Sequence, residues 1–344
     1  MASSSQSKEL LQNETNKDDI SKIVLGTNNN IEEEFTINKN EVYTCSLSSE
    51  GKKIAHKELN ESDRVREQGV QRLQQWVKNN PNIKCRHDGN FLVRFLRMKK
   101  YKLEESEALL EKYLRIRQEN SAWFRNLDAL DPQLNDMINR GYFFALPERD
   151  DYGRRIFFSV AGSIDPTKDT AADMMRIMQL GFESLLEDEE NQVRGFTYIF
   201  DERNVGFDII SLWTPQEVAK AFQCCEKTIP LRHKEIHFIN LPSALSALFE
   251  FAKALLSHKI RNRFQVHNNE LKLHEKIPTR LLPSEYGGKT PMSEMIEMYK
   301  RELLLVRNNV MLLEQMKINN TSKTNKFEKT INSINRNFRK LEID

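Results

Sequence analysis

Two constellations in this chain of 344 residues have residue types that could do chemistry. His233 and His237 are four apart, a spacing that on a helix could offer two imidazoles to one metal ion. They straddle a junction between loop and strand, however, where side chains point differently, and no carboxylate or cysteine completes a ligand set. Asp201, Glu202 and Arg203 end the apolar run that begins at Phe196. Strand ends are where α/β folds often place active sites. An ion-paired turn accounts for the same three residues equally well, and no partnered base accompanies them. No GxGxxG, P-loop, HExxH or GxSxG pattern occurs in the sequence. Without catalytic or nucleotide signatures, no enzyme activity, metal or cofactor is expected, and binding is the default.

The stretch 236–264 is the most informative for binding. Ile236–Asn240 alternates as a short buried strand, and Leu241-Pro242-Ser243 opens a helix in which 13 of 24 residues (241–264) are apolar. Only Glu250 and Lys253 are charged before residue 258; Lys259, Arg261 and Arg263 follow. Seven-residue steps from Leu245 through Ala252 reach Lys259, so the apolar stripe turns cationic along its own line. One reading is a lid over an apolar cavity whose tip meets phosphate headgroups. The other is a core helix whose last turn projects into water, where cations suit the helix macrodipole.

The elements that must position this stretch are readable from periodicity. Residues 1–57, rich in Ser, Asn, Lys and Glu, carry seven Lys and nine Asp or Glu and no sustained period, the composition of a disordered tail. Residues 58–120 read as a small bundle of three helices: one through Val70, Leu73 and Val77 that stops near Pro81, a second carrying Phe91, Arg94, Phe95 and Arg97, and a third over Leu103–Ile116. From 131 strands and helices alternate. Tyr142–Leu146 and Ile156–Val160 flank Asp150-Asp151-Tyr152-Gly153 and pair as a hairpin. A helix over 169–188, a strand Phe196–Asp201, a helix opened by Thr214-Pro215, the strand 236–240 and a last short strand at Leu271–Leu273 complete an α/β domain to 289, with helices on the faces of its sheet. The remainder, 290–344, has one helical stretch, Met295–Met316, and a basic end with seven Lys or Arg against one Glu over 317–340.

Composition bounds the function classes. The net charge of +2 makes no argument for nucleic acid, so electrostatics must rest on local clusters. No run approaches 18 uncharged apolar residues, and Met1-Ala2-Ser3-Ser4-Ser5-Gln6 has no apolar core of a signal peptide. Cys45, Cys85, Cys224 and Cys225 form no zinc spacing and read as reduced thiols of a cytosolic protein. The α/β segment holds more large apolar residues than a small sheet needs, among them Met174, Met175, Met178, Phe182, Phe196, Phe200, Phe222, Phe249 and Phe251. They fill a core, or some of them line a cavity for an apolar ligand.

Four segments carry a family resemblance: Phe91-Leu92-Val93-Arg94-Phe95-Leu96-Arg97, Pro230–Asn240 with Arg232-His233-Lys234, His267-Asn268-Asn269, and Leu282-Pro283-Ser284-Glu285-Tyr286-Gly287-Gly288. In order and spacing they resemble the CRAL-TRIO lipid-binding family, in the branch of alpha-tocopherol transfer protein, retinaldehyde-binding protein and the clavesins, over about 58–289. The resemblance implies a CRAL-TRIO sheet with a lid helix over an apolar cavity, preceded by the helical module. The lid maps to Leu241–Phe264, with Leu245, Leu248, Phe249, Phe251 and Leu255 as its apolar contacts. The cavity wall maps to Met175, Met178, Phe182, Phe196 and Phe200, with Cys224, Cys225, Ile229 and Ile236. Met178 and Phe182 stand where the tocopherol-binding member has small hydroxyl residues, and Cys224 and Cys225 replace aliphatic residues. This speaks against tocopherol but leaves an apolar lipid. A phosphoinositide-binding cluster maps to Arg232, Lys234, Lys259 and Arg263, with Arg97 as a fifth. The implied partners are a hydrophobic lipid and a phosphoinositide-containing membrane surface. The expected location is the cytoplasm, with transient association to endosomal or other phosphoinositide-rich membranes. Two functions fit: a non-enzymatic lipid carrier, or a phosphoinositide-binding trafficking adaptor of the clavesin type.

Overall fold

The computed structural model describes residues 43–319. Its first element is the helix α1 (Ser49–Leu59), capped by the Ser48 hydroxyl, which accepts from the Gly51 amide. The expectation of an unstructured tail as far as 57 therefore fails for 43–57; residues 1–42 and the basic end beyond 319 lie outside the described residues. The composition of 43–57 is polar, but its order comes from contacts distant in sequence. Leu47, Ala55 and Leu59 pack on Val193, the Tyr43 hydroxyl donates to Glu189, and the Ser48 amide donates to Glu190.

The helical module follows as α2 (Asp63–Asn79), a two-residue strand β1 (Ile83–Lys84), α3 (Gly89–Met98) and α4 (Leu103–Glu119), with α5 (Pro132–Asn139) leading into the next domain. Strands β2 (Phe144–Ala145) and β3 (Arg155–Val160) pair antiparallel, as the hairpin pattern requires. Then come α6 (Ala171–Leu185), α7 (Glu189–Arg194), β4 (Phe196–Asp201), α8 (Pro215–Lys227) and β5 (His233–Ile239). Beyond β5 lie the helices α9 (Ser246–Ala254) and α10 (His258–Arg261), the strand β6 (Phe264–His267) and α11 (Glu270–His274). The described chain ends with α12 (Met292–Leu305), α13 (Arg307–Leu312) and β7 (Lys317–Ile318), which pairs with β1. The sheet runs β2-β3-β4-β5-β6, parallel except for its first pair.

Three expectations are corrected. Residues 241–264 are not one helix: the chain breaks after Leu255, Ser257 caps α10 by accepting from Ile260 N, and Phe264 belongs to β6. The last strand is therefore Phe264–His267. Leu271–Leu273 is helical because Asn269 caps α11, which buries Leu273 and leaves Leu271 exposed. The stretch Met295–Met316 divides into α12, α13 and a 3-10 turn at Leu313–Gln315.

Strand register sorts the side chains into two faces. Phe157, Tyr198, Ile236 and Phe264 are in register, as are Ser159, Phe200, Phe238 and Val266 two residues on. Their rings form a ladder, with Tyr198–Phe200 centroids 6.2 Å apart, Phe200–Phe238 5.2 Å and Phe238–Phe264 5.2 Å. The other face carries Phe158, Ile199, Asp201, His237 and His267. The register shift between Phe196 and Thr197 puts His233 on the ladder face and His237 on the opposite one, so the two imidazoles cannot share a ligand.

The helical module is held to the α/β domain by buried charge. On α3, Arg94 and Arg97 are each 1% exposed. Arg97 grips both oxygens of Glu61 at 2.8 Å and reaches Glu189 at 2.8 Å and Gln192 at 2.9 Å. Arg94 bridges Glu183 and Glu187, Arg117 adds to Glu183, and Arg86 adds to Glu187. Removing one partner strands the others unpaired in the interior, which typically costs about 3–5 kcal/mol. Arg97→Ala is expected to lose that much in urea unfolding. An arginine serving chiefly as a surface anion ligand would change stability by no more than about 0.5 kcal/mol.

Candidate functional site

The ladder face floors an apolar cavity in two adjoining lobes of about 370 and 560 Å³. One lobe runs over Phe182, Tyr198, Phe200, Ile236, Phe238 and Phe264. The other lies beneath Leu245, Leu248 and Phe251 against Met175, Pro215 and Val218. Met178, Trp213, Phe222, Cys225, Phe249 and Ala252 border both. Helix α8 presents Phe222 and Cys225 because the Thr214–Glu217 capping box and Pro215 fix its first turn.

Helix α9 roofs this cavity, and its sequence explains its placement. Asn240, in the left-handed region at φ 56°, turns the chain off β5 and donates to Asp201 at 2.9 Å. The helix then starts from a 3-10 turn with no side-chain cap. It is apolar along most of its length, yet none of its residues is buried. Phe249 meets the Phe238 ring edge-on at 4.8 Å, while Leu248 is 43% exposed. An apolar helix that buries nothing fully has no core to belong to.

The residues named from sequence divide accordingly. Met175, Met178, Phe182, Phe200, Cys225 and Ile236 line the cavity, and so do Leu245, Leu248, Phe249 and Phe251. Phe196, Cys224 and Ile229 do not: each is fully buried in the packed interior. Leu255 stands at the break after α9 and borders neither lobe. Tyr198, Phe238 and Phe264 were missed, although strand alternation from Phe200 and Ile236 points to the first two. Trp213 follows the short helix Phe207–Ile210, in a stretch where no period marks it.

A second cavity, of about 450 Å³, adjoins the first and is lined by charge: Lys57, Glu58, Lys100, Arg232, Lys234, Lys259 and Arg263, with Arg97 at its edge. His233, Glu226 and Ile260 border both cavities. His233 is held by the Tyr198 hydroxyl at 2.8 Å and the Cys225 carbonyl at 2.9 Å. Burial keeps its pKa below the usual histidine value. Glycine at 195, with φ 80°, allows the Arg232 backbone an approach that a Cβ would block, and Phe196 N bonds the Arg232 carbonyl at 2.9 Å. Lys259 and Arg263 flank the end of α10. Burial, and then the neighbouring cations, pull down the pKa of Lys234, Lys259 and Arg263. The positive charges are thus crowded and would be relieved by an anion.

Two features temper the cluster. Arg97 makes four hydrogen bonds to Glu61, Glu189 and Gln192 and is 1% exposed, so its charge is already paired inside the protein. Glu58, from α1, pairs with Arg232 at 2.5 Å and Lys234 at 3.1 Å. Against the opposing effect of burial, those bonds hold its carboxyl below the ordinary glutamate range. Lys57 and Lys100 add cations that sequence reasoning missed, one within the supposed tail and one just past the Phe91–Arg97 motif. Among the described residues no group of three or more His, Cys, Asp or Glu could hold a metal ion, and no helix is long and apolar enough to cross a membrane.

The adjacent cysteines test the cavity wall directly. Cys224 is fully buried in packed interior, whereas Cys225 borders both lobes, its thiol pushed up to about 12 by burial. Cys224→Trp should cost roughly 1–3 kcal/mol or more by overpacking. Cys225→Trp, growing into open space, should cost less than about 1 kcal/mol. Equal losses in denaturant titration would contradict this assignment.

Comparison with known proteins agrees with the architecture. A CRAL/TRIO domain family matches residues 139–288, and a Pinta-like UBA domain family matches 62–134. Clavesin-2 of Homo sapiens is 35% identical over 253 residues, covering 73% of this chain and 77% of its own. Clavesin-1 of Xenopus laevis is 35% identical over 240 residues, covering 69% and 72%. The crystal structure of Sfh5 aligns at 13% identity with a TM-score of 0.48, covering 73% of this chain and 99% of that one. With Clavesin-2 matched at this identity over most of its length, the chain belongs to the clavesin-like branch of the CRAL-TRIO lipid-binding family.

Proposed function

We propose that this protein is a non-enzymatic cytosolic carrier. It holds a hydrophobic lipid in the two-lobed cavity and exchanges it at phosphoinositide-containing membranes, such as those of endosomes. One observation carries this reading: the apolar cavity under α9 and the cationic cavity share His233, Glu226 and Ile260 as a common wall. An anionic headgroup drawn between Arg232, Lys234, Lys259 and Arg263 would act on α10, whose N-cap Ser257 is tied to Glu226 through its amide at 3.2 Å. The break between α9 and α10 would then let the roof swing outward, exchanging cavity contacts for bilayer contacts.

Each cation near an anionic bilayer contributes about 1 kcal/mol, so four together give roughly 4 kcal/mol, about a thousandfold in affinity. The fourfold variant Arg232→Ala/Lys234→Ala/Lys259→Ala/Arg263→Ala should keep its fold and lipid and lose most sedimentation with phosphoinositide vesicles. It should also show a flatter salt dependence. Undiminished, phosphoinositide-selective binding would refute the membrane role. Glu58→Ala should shift binding the other way, tightening it several-fold by freeing Arg232 and Lys234; weaker binding would show that Glu58 positions the pair rather than masking it.

The lid role has its own test. Phe249→Asp and Phe251→Asp are expected to slow lipid transfer between vesicles strongly while lowering thermal stability little, because neither position is buried. A core position would show the reverse, since an unpaired buried carboxylate costs several kcal/mol. If the protein is instead a trafficking adaptor, these variants will leave its membrane recruitment and partner capture unchanged and no transfer will be measured for the wild type.

A further inference from the structure

Glu202 is anomalous among the charged groups of the apolar cavity. Glu226 accepts from the Ser257 amide and Lys253 bonds Glu250, and the His233 ring is engaged on both nitrogens. Glu202 borders both lobes, yet its carboxyl has no hydrogen-bond or ion-pair partner among the described residues. Its backbone is pinned, the amide donating to the Ile239 carbonyl at 3.0 Å and the carbonyl accepting from Val205 at 3.2 Å. Its neighbour Asp201 serves the other face of the sheet, accepting from the Tyr286 hydroxyl at 2.6 Å, the Asn240 amide and the Arg203 backbone. Asp201 and Arg203 make the ion-paired turn, their charged groups 3.5 Å apart, with Arg203 also reaching Glu270, and Glu202 is left to the cavity.

Half-buried in the cavity wall, the Glu202 carboxyl is raised to about 7 by desolvation, reinforced by the charge of Asp201. Tyr142, on the same lobe, has its phenol pushed up by burial and by Glu202. A polar group left unmatched in such a cavity is costly unless a ligand matches it. A hydroxyl can do so in either state, accepting from the protonated acid or donating to the carboxylate. An ammonium fits only the ionised form, and a ligand carboxylate fits only the protonated one.

We propose that Glu202 is the specificity residue of the cavity and that its ligand is a neutral lipid alcohol, one hydroxyl anchored at Glu202 and the hydrocarbon lying along the Phe200–Phe238 ladder. This inference rests on the carrier reading and narrows it to a ligand class.

The test uses the full chain and four pyrene-tailed probes of equal length: a hydrocarbon, a primary alcohol, a carboxylic acid and a primary amine, at pH 6 and pH 8. Wild type should bind the alcohol about tenfold more tightly than the hydrocarbon at both pH values, the worth of one well-placed hydrogen bond to a charged or strongly polar group. Its affinity for the acid should fall from pH 6 to pH 8. Glu202→Leu should keep hydrocarbon affinity, bring the alcohol-to-hydrocarbon ratio near one, and melt no lower than wild type, since an unpartnered carboxyl is removed. Glu202→Gln should retain the alcohol preference and abolish the pH dependence of the acid. An unchanged ratio in Glu202→Leu, or an amine preferred over the alcohol at both pH values, would overturn the assignment while leaving the carrier reading intact. If wild type binds none of the probes, the carrier reading fails and this inference with it.

Discussion

The structure depends first on the buried ion network that joins the helical module to the α/β domain. Arg86, Arg94, Arg97 and Arg117 converge on Glu61, Glu183, Glu187 and Glu189 with almost no exposure to water. Charges so desolvated are tolerated only with near-complete pairing, so the module has one acceptable seat. That seat brings Lys57, Glu58 and Lys100 to the cavity mouth already defined by Arg232 and Lys234. The cationic cavity is thus a product of domain docking: neither module contains it alone.

The same logic of satisfied and unsatisfied groups separates core from cavity. The sheet face bearing Phe158, Asp201 and His237 is closed by packing and hydrogen bonds, including Tyr286 against Phe158 at 4.7 Å and His237 against His267 at 2.9 Å. The ladder face is different. Near β3 it is filled by Phe182 of α6, whose ring lies 5.4 Å from Phe157. Toward β5 and β6 the cover is α9, which reaches the ladder through Phe249 and buries none of its own residues fully. Apolar area left half-covered is unfavourable by roughly 25 cal/mol for each square ångström, which a lipid tail or a bilayer could recover. The roof also lacks a side-chain cap at one end and is broken at the other.

Much of this was legible in the sequence where information is local. The hairpin, the strand Phe196–Asp201, the Pro215 helix start and the excess of large apolar residues follow from period and turn chemistry. What escaped was non-local. The order of 43–57 comes from carboxylates at 189 and 190, well over a hundred residues away. The break near 255 depends on Ser257 capping a new turn, a short signal inside a strongly helical composition. Cys224 and Cys225 are chemically identical neighbours, and only the packed helix decides which meets the cavity. Arg97 has the right charge for a phosphate ligand, but three internal partners occupy it. Asp201 and Glu202 read as one motif, yet strand alternation sends them to opposite faces.

The account's central claim is that the space beneath α9 holds a lipid. Native mass spectrometry of the full chain purified from cells without detergent, followed by lipid extraction, tests it most directly. The account predicts a chain mass increased by one small apolar molecule at close to one per protein, recovered in the extract and absent from Cys225→Trp. A chain of unmodified mass that acquires no adduct even after incubation with lipid vesicles would contradict it.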